Sequence, residues 1–235
     1  MVTNLNQFEE TVGNLTQPLN GQYPRPWMTK LIDPQNADVF IVGKNQRNGY
    51  DCSKLGTHQR HMDALFNRNG ETCRQMYDRM TAGKASPTRK NTDSFVQVLE
   101  SKGVTDILET NVICYSTPMS ADLRLDQHTG GSTRGEEIFR YLMAKIKPKV
   151  LVVHGTGSRK KLASILRTDL GSEPHFVEDI RLHMVEDYMV AVIPSLAPPA
   201  YNKWSPWSQE HLSLLAIKIA AHLSQNPVSG TVKEI

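Results

Sequence analysis

Residues 136–153 read EEIFRYLMAKIKPKVLVV, and this stretch decides the fold. Its first part places apolar side chains at the spacing of one face of an α-helix, and Pro148 ends that pattern. The β-branched run that follows at 149–153 is typical of a buried strand. A second such run at 110–114 precedes the helix, so the three segments predict a crossover between parallel strands. The apolar residues of the helical face are Ile138, Tyr141, Leu142 and Ile146.

The same two patterns extend over most of the chain. Buried strands are predicted at 38–42, 110–114, 149–153 and 189–193. Helices are predicted at 72–80, 93–101, 136–146, 160–166 and 209–223. Strands separated by helices predict an α/β fold, a three-layer α/β/α sandwich over residues 37–225 around a central, mainly parallel four-stranded sheet. The proline-rich residues 1–36 predict an N-terminal arm with one short helix, and residues 226–235 a flexible C-terminal tail.

Composition excludes several classes of protein. In a chain of 235 residues, 39% hydrophobic content suffices for a buried core and excludes a disordered or fibrous protein. A net charge of +3 permits contact with a polyanion without indicating one. The absence of a long apolar run and of signal-peptide features predicts a soluble, cytoplasmic protein. Three cysteines without a CxxC pair predict reduced thiols, and neither a metal nor a cofactor is expected.

Ligands of open parallel sheets bind beyond the carboxyl ends of the strands, so the loops after the predicted strands are where a site is expected. They are rich in glycine, proline and small polar residues: GKNQRNGYD at 43–51, YSTP at 115–118, HGTGS at 154–158 and PSLAPPAYNKW at 194–204. The HGTG stretch is similar to the oxyanion loop of serine hydrolases, but the chain has no GxSxG elbow. Neither glycine-rich phosphate-binding pattern is present, which disfavours nucleotide binding.

In order and spacing, these loops resemble motifs of the uracil-DNA glycosylase superfamily. VGKN at 42–45 resembles its water-positioning motif, Gly-x-Asn-Pro-Gly or Gly-x-Asp-Pro-Tyr, and IPS at 193–195 resembles its His-Pro-Ser or Asn-Pro-Ser motif. PAYNKW at 199–204 is similar to the single-strand-selective monofunctional branch, and TNV at 110–112 to the thermophile-type branches. Phe66 stands where a base-stacking phenylalanine is expected. The resemblance covers residues 37–222 and is closest to the single-strand-selective and mismatch-specific branches.

This resemblance implies a uracil-DNA glycosylase-like fold and a monofunctional DNA glycosylase, monomeric and without metal or cofactor, that acts on a flipped pyrimidine nucleotide in DNA. For catalysis, we expect Asn45 to hold the attacking water and Asp51 to act as general base or electrostatic partner of the cationic sugar. His154 is the candidate to replace the missing imidazole of the His-Pro-Ser motif. An exposed loop carboxylate is the alternative interpretation of Asp51.

The same resemblance assigns residues to the base and to the DNA. Because its amide carries both a donor and an acceptor, Asn111 is suited to the Watson–Crick edge of a pyrimidine. Phe66 would supply the stacking face, with core packing as the alternative. The predicted base-binding residues are Asn111, Phe66, Gly43 and Tyr50. The predicted DNA-binding residues are Ser195, Pro194, Tyr201, Lys203, Trp204 and Arg47, among which Tyr201 and Trp204 are candidate wedges in the base stack.

Three positions depart from the family pattern and leave the substrate open. Ile193 replaces the usual histidine and offers no hydrogen bond, while Gln46 and Arg47 replace the Pro-Gly that follows the motif asparagine. These changes suit a modified pyrimidine, such as a hydroxymethylated or glycosylated cytosine, at least as well as uracil. A catalytically silent DNA-binding protein of this fold and a nucleosidase acting on free nucleosides are the alternatives. The biological role, DNA repair or defence against phage DNA, stays open.

Overall fold

A computed structural model describes residues 2–225, and a six-stranded, mostly parallel sheet lies at its centre. The strands are β1 (Gln22–Tyr23), β2 (Met28–Thr29), β3 (Val39–Gln46), β4 (Tyr50–Asp51), β5 (Ile107–Ser116), β6 (Val150–His154), β7 (Arg181–Val185) and β8 (Tyr188–Ile193). The central sheet has the order β2-β5-β3-β6-β8-β7. Its four inner strands are parallel, and the edge strands β2 and β7 run antiparallel to their neighbours. Strands β1 and β4 form a separate antiparallel pair.

The expectation of four strands is corrected to six. The four predicted runs are the inner strands β5, β3, β6 and β8, whose mostly buried residues reflect coverage on both faces. The two additional strands lie at the edges and lack that pattern. Strand β2 has two residues, too few to show a period, and β7 alternates between half-buried and exposed residues over most of its length.

Eight α-helices surround the sheet among the described residues. They are α1 (Val2–Leu15), α2 (Cys52–Leu55), α3 (His58–Leu65), α4 (Cys73–Met80), α5 (Pro87–Glu100), α6 (Gly131–Ile146), α7 (Thr156–Leu166) and α8 (Ala200–Gln225). Helix α8 begins nine residues before the predicted start at 209 and contains Pro206. The prediction placed residues 199–204 in a loop because proline disfavours helix interiors. Packing overrides this preference, since the Trp204 indole is buried and donates to Ser195 O at 2.8 Å.

Alternate residues of β3 point into two hydrophobic clusters, one on each face of the sheet. Phe40 and Val42 belong to the first cluster, which also contains buried residues of α1, α3, α4, α6 and α7. Val39 and Ile41 belong to the second, which α5 and α8 cover. The described part of the predicted N-terminal arm packs on the first cluster through α1 and Trp27. The predicted C-terminal tail, residues 226–235, lies outside the described residues.

Two glycines bring α6 close to the strand that precedes it. A Cβ atom at Gly131 would lie 2.5 Å from the Tyr115 ring, and one at Gly135 would lie 2.8 Å from the backbone nitrogen of Cys114. Four residues apart, these glycines occupy one face of the helix. The contact holds α6 against β5, one of the two strands whose ends define the site described below.

Candidate active site

A cleft of about 700 Å³ opens at the carboxyl ends of the parallel strands. Residues from the ends of β3, β5 and β6, the loop 117–120, the start of α7 and the loop after β8 line it. The register between β3 and β5 shifts between Asn45 and Gln46, which marks a bulge or similar irregularity there. Such irregularities redirect side chains at the ends of strands. The site predicted from the strand order therefore coincides with a cleft of the size that ligand sites have.

The amide of Asn45 is held in one orientation at this edge. Its Nδ2 donates to Thr117 Oγ1 at 2.8 Å and to Gln46 O at 3.3 Å, while Ser120 Oγ donates to its Oδ1 at 2.6 Å. Because both amide protons are used and the carbonyl oxygen keeps one lone pair, Oδ1 is the atom that can accept a further hydrogen bond. Asn45 is suited to hold a water molecule by accepting a hydrogen bond from it.

Gly43 separates the side chains of Asn111 and His154. A Cβ atom at this position would lie 2.5 Å from Asn111 Oδ1 and 3.1 Å from His154 Nε2. All three residues line the cleft, and Asn111 is paired with Gly43 across β3 and β5. Within the described residues, the Asn111 amide has no hydrogen bond, so both its donor and its acceptor are available to a ligand.

His154 is a neutral hydrogen-bond donor at physiological pH. Burial lowers the pKa of its imidazole to about 4. Its Nδ1 accepts a hydrogen bond from the Leu196 backbone nitrogen at 3.4 Å, so the single ring proton belongs on Nε2. That nitrogen is the one close to Gly43 and the cleft. His154 can therefore donate to a developing anion without being charged itself.

Burial of His61 and His154 predicts acid sensitivity of the fold. Burial lowers the pKa of His61 to about 3 and that of His154 to about 4, whereas an unfolded histidine titrates near 6.5. The unfolded state binds more protons in this interval, so the free energy of unfolding falls as pH decreases from about 6.5 to about 4. Denaturant titrations across this range should show the decrease. His61→Leu should reduce the slope, and equal slopes in the wild-type protein and this variant would contradict the prediction.

Asp51 is placed outside the cleft. It caps the start of α2, and its Oδ1 accepts hydrogen bonds from Ser53 N at 2.8 Å and Ser53 Oγ at 2.7 Å. These hydrogen bonds lower the pKa of the carboxyl group. The carboxylates that do line the cleft are Glu109 and Glu173. Sequence reasoning missed both, although the charge of Glu109 beside a buried strand could have indicated a site.

The predicted aromatic residues of the base site are buried away from the cleft. Phe66 is 2% exposed and its ring packs edge-on against Phe8 and Trp27. Tyr50 is also buried, and its hydroxyl accepts from Arg25 Nη1 at 3.3 Å. Trp27 and Tyr77 are the aromatic residues that line the cleft, and sequence reasoning missed both. Trp27 was missed because it lies in the predicted arm.

The predicted DNA-binding residues fall into two groups. Arg47 and Ser195 line the cleft, and Ser195 Oγ accepts a hydrogen bond from Ala197 N at 3.1 Å. The others are not brought to the cleft, because the chain around them forms the end of β8 and the start of α8. Pro194 and Trp204 are buried, the Tyr201 hydroxyl contacts Ser208 Oγ at 3.1 Å, and Lys203 is exposed on α8.

Cationic side chains outnumber carboxylates around the cleft. The lining contains Arg25, Lys44, Arg47 and Arg89, but two carboxylates. The Lys44 stem passes over the first turn of α7, where a Cβ atom at Gly157 would lie 2.9 Å from Lys44 Cδ. Backbone N–H groups of a helix start also favour anions. The α7 end of the cleft thus combines Lys44 with a helix start, and it also holds the Glu173 carboxylate, whose Oε1 accepts from Thr156 Oγ1 at 2.5 Å.

No protein-family model and no curated protein matches the chain. Among the described residues, no group of three or more histidine, cysteine, aspartate or glutamate side chains is arranged to hold a metal ion. None of the described helices combines the length and apolar character needed to cross a membrane.

Proposed function

We propose that this protein is a monofunctional DNA glycosylase with a three-layer, uracil-DNA glycosylase-like fold. It binds a flipped pyrimidine nucleotide, hydrolyses the N-glycosidic bond and leaves an abasic site. The observation that carries the proposal is the meeting of two asparagines in one cleft, Asn45 with a fixed amide and Asn111 with a free one. One amide is suited to a water molecule and the other to a base.

Each polar side chain at the carboxyl ends of the strands has one role in the proposed reaction. Asn111 pairs with the Watson–Crick edge of the flipped base. Asn45 Oδ1 holds a water molecule below the sugar, where the bond between C1′ and the base nitrogen breaks and leaves an oxocarbenium-like sugar. The water oxygen bonds to C1′ and releases one proton, while the base departs with the electron pair. His154 Nε2–H donates a hydrogen bond to this anion, which later takes up a proton.

The volume of the cleft supports a modified pyrimidine as substrate. The cleft of about 700 Å³ lies well inside the range of sites for ligands larger than a single pyrimidine ring. Gln46, which replaces a family proline, is buried and donates from Nε2 to Arg25 O at 2.6 Å. It therefore supports the wall of the cleft instead of filling its space. A hydroxymethylated or glycosylated cytosine is the favoured class, and uracil is the smaller alternative.

Met119 is the residue best placed to replace the predicted wedges Tyr201 and Trp204. Its side chain is 67% exposed, and it lines the rim of the cleft. Its backbone is anchored on both sides, because Thr117 Oγ1 donates to Met119 O at 2.8 Å and Met119 N donates to Asp122 Oδ2 at 2.8 Å. An apolar side chain on a rigid loop is suited to enter the gap that a flipped base leaves.

Met119→Ala should therefore lower base excision from duplex DNA about tenfold. Excision from a single strand, which has no stacked partner to displace, should change much less. Single-turnover rates on matched duplex and single-stranded oligonucleotides measure both. Met184→Ala removes a methionine that is 65% exposed on the edge strand β7 and serves as the control. Equal losses on both substrates would exclude the wedge role.

An abasic-site assay tests the proposed activity. Oligonucleotides that each contain one uracil, 5-hydroxymethyluracil, cytosine, 5-hydroxymethylcytosine or glucosylated 5-hydroxymethylcytosine are incubated with protein and then with alkali. Strand cleavage that requires both protein and alkali is expected for at least one modified base. Salt-sensitive DNA binding without cleavage would favour the silent DNA-binding protein. Release of base from free nucleosides, with DNA left intact, would favour a nucleosidase.

A further inference from the structure

Glu109 is a carboxylate inside the cleft that the proposed reaction does not use. It lies on β5, two residues before Asn111, and its side chain is 18% exposed. One carboxylate oxygen, Oε2, accepts a hydrogen bond from Arg89 Nη1. The other, Oε1, has no partner among the described residues and is not sealed from the cleft. One oxygen is thus fixed by the protein while the other stays available.

Arg89 holds this carboxylate from the side of α5. The guanidinium is nine-tenths buried, with its side chain 9% exposed, and it also pairs with Asp93 through Nη2 at 2.9 Å. Asp93 in turn pairs with Arg74 at 2.8 Å. Arg89 Nε and Nη2 make no hydrogen bond that satisfies normal geometry. Because a buried arginine keeps its charge, the Arg89 guanidinium presents a cation to the Glu109 carboxylate.

Glu109 and Asn111 face the same side of the strand. Residues two apart on a strand point to one face, with Cα atoms about 6.6 Å apart. Their partners across the sheet, Ile41 and Gly43, also line the cleft. A pyrimidine whose Watson–Crick edge meets Asn111 therefore extends a neighbouring substituent toward Glu109.

Resting on the proposed function, we infer that Glu109 selects pyrimidines that present a hydrogen-bond donor beside the edge held by Asn111. An ionised carboxylate accepts hydrogen bonds and cannot donate them. A hydroxymethyl group or the hydroxyls of an attached sugar supply such a donor, whereas the exocyclic amine of cytosine belongs to the Watson–Crick edge itself. The O4 oxygen of unsubstituted uracil is an acceptor, and the methyl group of thymine is neither a donor nor an acceptor. The substrate class is therefore a hydroxyl-bearing pyrimidine.

Paired oligonucleotides isolate the contribution of the donor. Uracil and 5-hydroxymethyluracil differ by a single hydroxymethyl group, as do cytosine and 5-hydroxymethylcytosine. Single-turnover excision and equilibrium competition binding are measured for each pair with the full chain. The wild-type protein should prefer the hydroxymethylated member of each pair. Glu109→Gln keeps the shape of the side chain and leaves Asp93 to pair with Arg89, so the preference should fall at least tenfold while the thermal unfolding midpoint changes little.

Glu173→Gln is the matched control because Glu173 also lines the cleft but lies against the start of α7, where its Oε1 accepts from Thr156 Oγ1 at 2.5 Å. This substitution should leave the preference unchanged. A wild-type preference for the unsubstituted bases would overturn the inference whatever the variants do. An unchanged preference in Glu109→Gln would also overturn it. Selective binding without excision of any base would contradict the proposed activity but would still support the selectivity of Glu109.

Discussion

Asn45→Ala should lower the rate of base excision by about 10²–10³-fold. Alanine removes a carboxamide whose orientation is set by Thr117 and Ser120, so the attacking water loses its acceptor. The side chain is partly exposed and contributes little buried apolar surface, so the fold should persist. Single-turnover excision, with the thermal unfolding midpoint measured alongside, separates chemistry from stability. Affinity for DNA should stay close to that of the wild-type protein.

Variants that remove one hydrogen bond to Asn45 at a time provide a further test of this expectation. Thr117→Val and Ser120→Ala each remove one of the hydrogen bonds that orient Asn45 and should give intermediate losses. Asn14→Ala, at an exposed position on α1, should have no effect on excision. If Asn45→Ala retained full activity on every base of the panel, Asn45 could not be the group that holds the water.

Gly43→Ala should lower excision on the order of 10²-fold while the protein stays folded. The added methyl group would lie 2.5 Å from Asn111 Oδ1 and 3.1 Å from His154 Nε2. Both atoms are at the ends of side chains, so the clash can be relieved by rotation away from the new methyl group. That rotation moves the two groups proposed to contact the base, and kcat should fall along with base affinity.

Gly13→Ala provides the comparison for this prediction. A Cβ atom there would meet Met62 Cε at an ordinary 3.7 Å, and alanine is favoured over glycine in a helix. This variant should be as active as the wild-type protein and slightly more stable. A Gly43→Ala protein with normal excision and normal unfolding would show that the approach of Asn111 and His154 has no bearing on activity.

The inner strands and the position of the cleft could be predicted because both follow from local patterns. Buried parallel strands are continuous apolar runs, and their carboxyl ends share one edge of the sheet. This reasoning predicted that Asn45, Asn111 and His154 share one edge of the sheet, and all three line the cleft there. The number of strands was wrong because β2 and β7 pair at the edges, where burial is partial and the sequence carries little periodicity.

The contents of the cleft were harder to predict because tertiary contacts decide them. A loop carboxylate and a helix cap look alike in sequence, and Asp51 is the cap of α2. Phe66 and Trp27 are both apolar, and the pairing of β2 with β5 decides which of them reaches the cleft. The contact between Arg89 and Glu109 joins residues 20 positions apart, and no local pattern indicates it.

Glycines 43 and 135 constrain this protein in opposite ways. At 43 a larger residue would displace the tips of two side chains, whereas at 135 it would strike the main chain of Cys114, which has no rotamer to change. Relief at 135 requires the whole of α6 to shift from β5, and that strand carries both Glu109 and Asn111. A residue larger than glycine at position 135 therefore weakens the packing of α6 on the strand that carries both of these side chains.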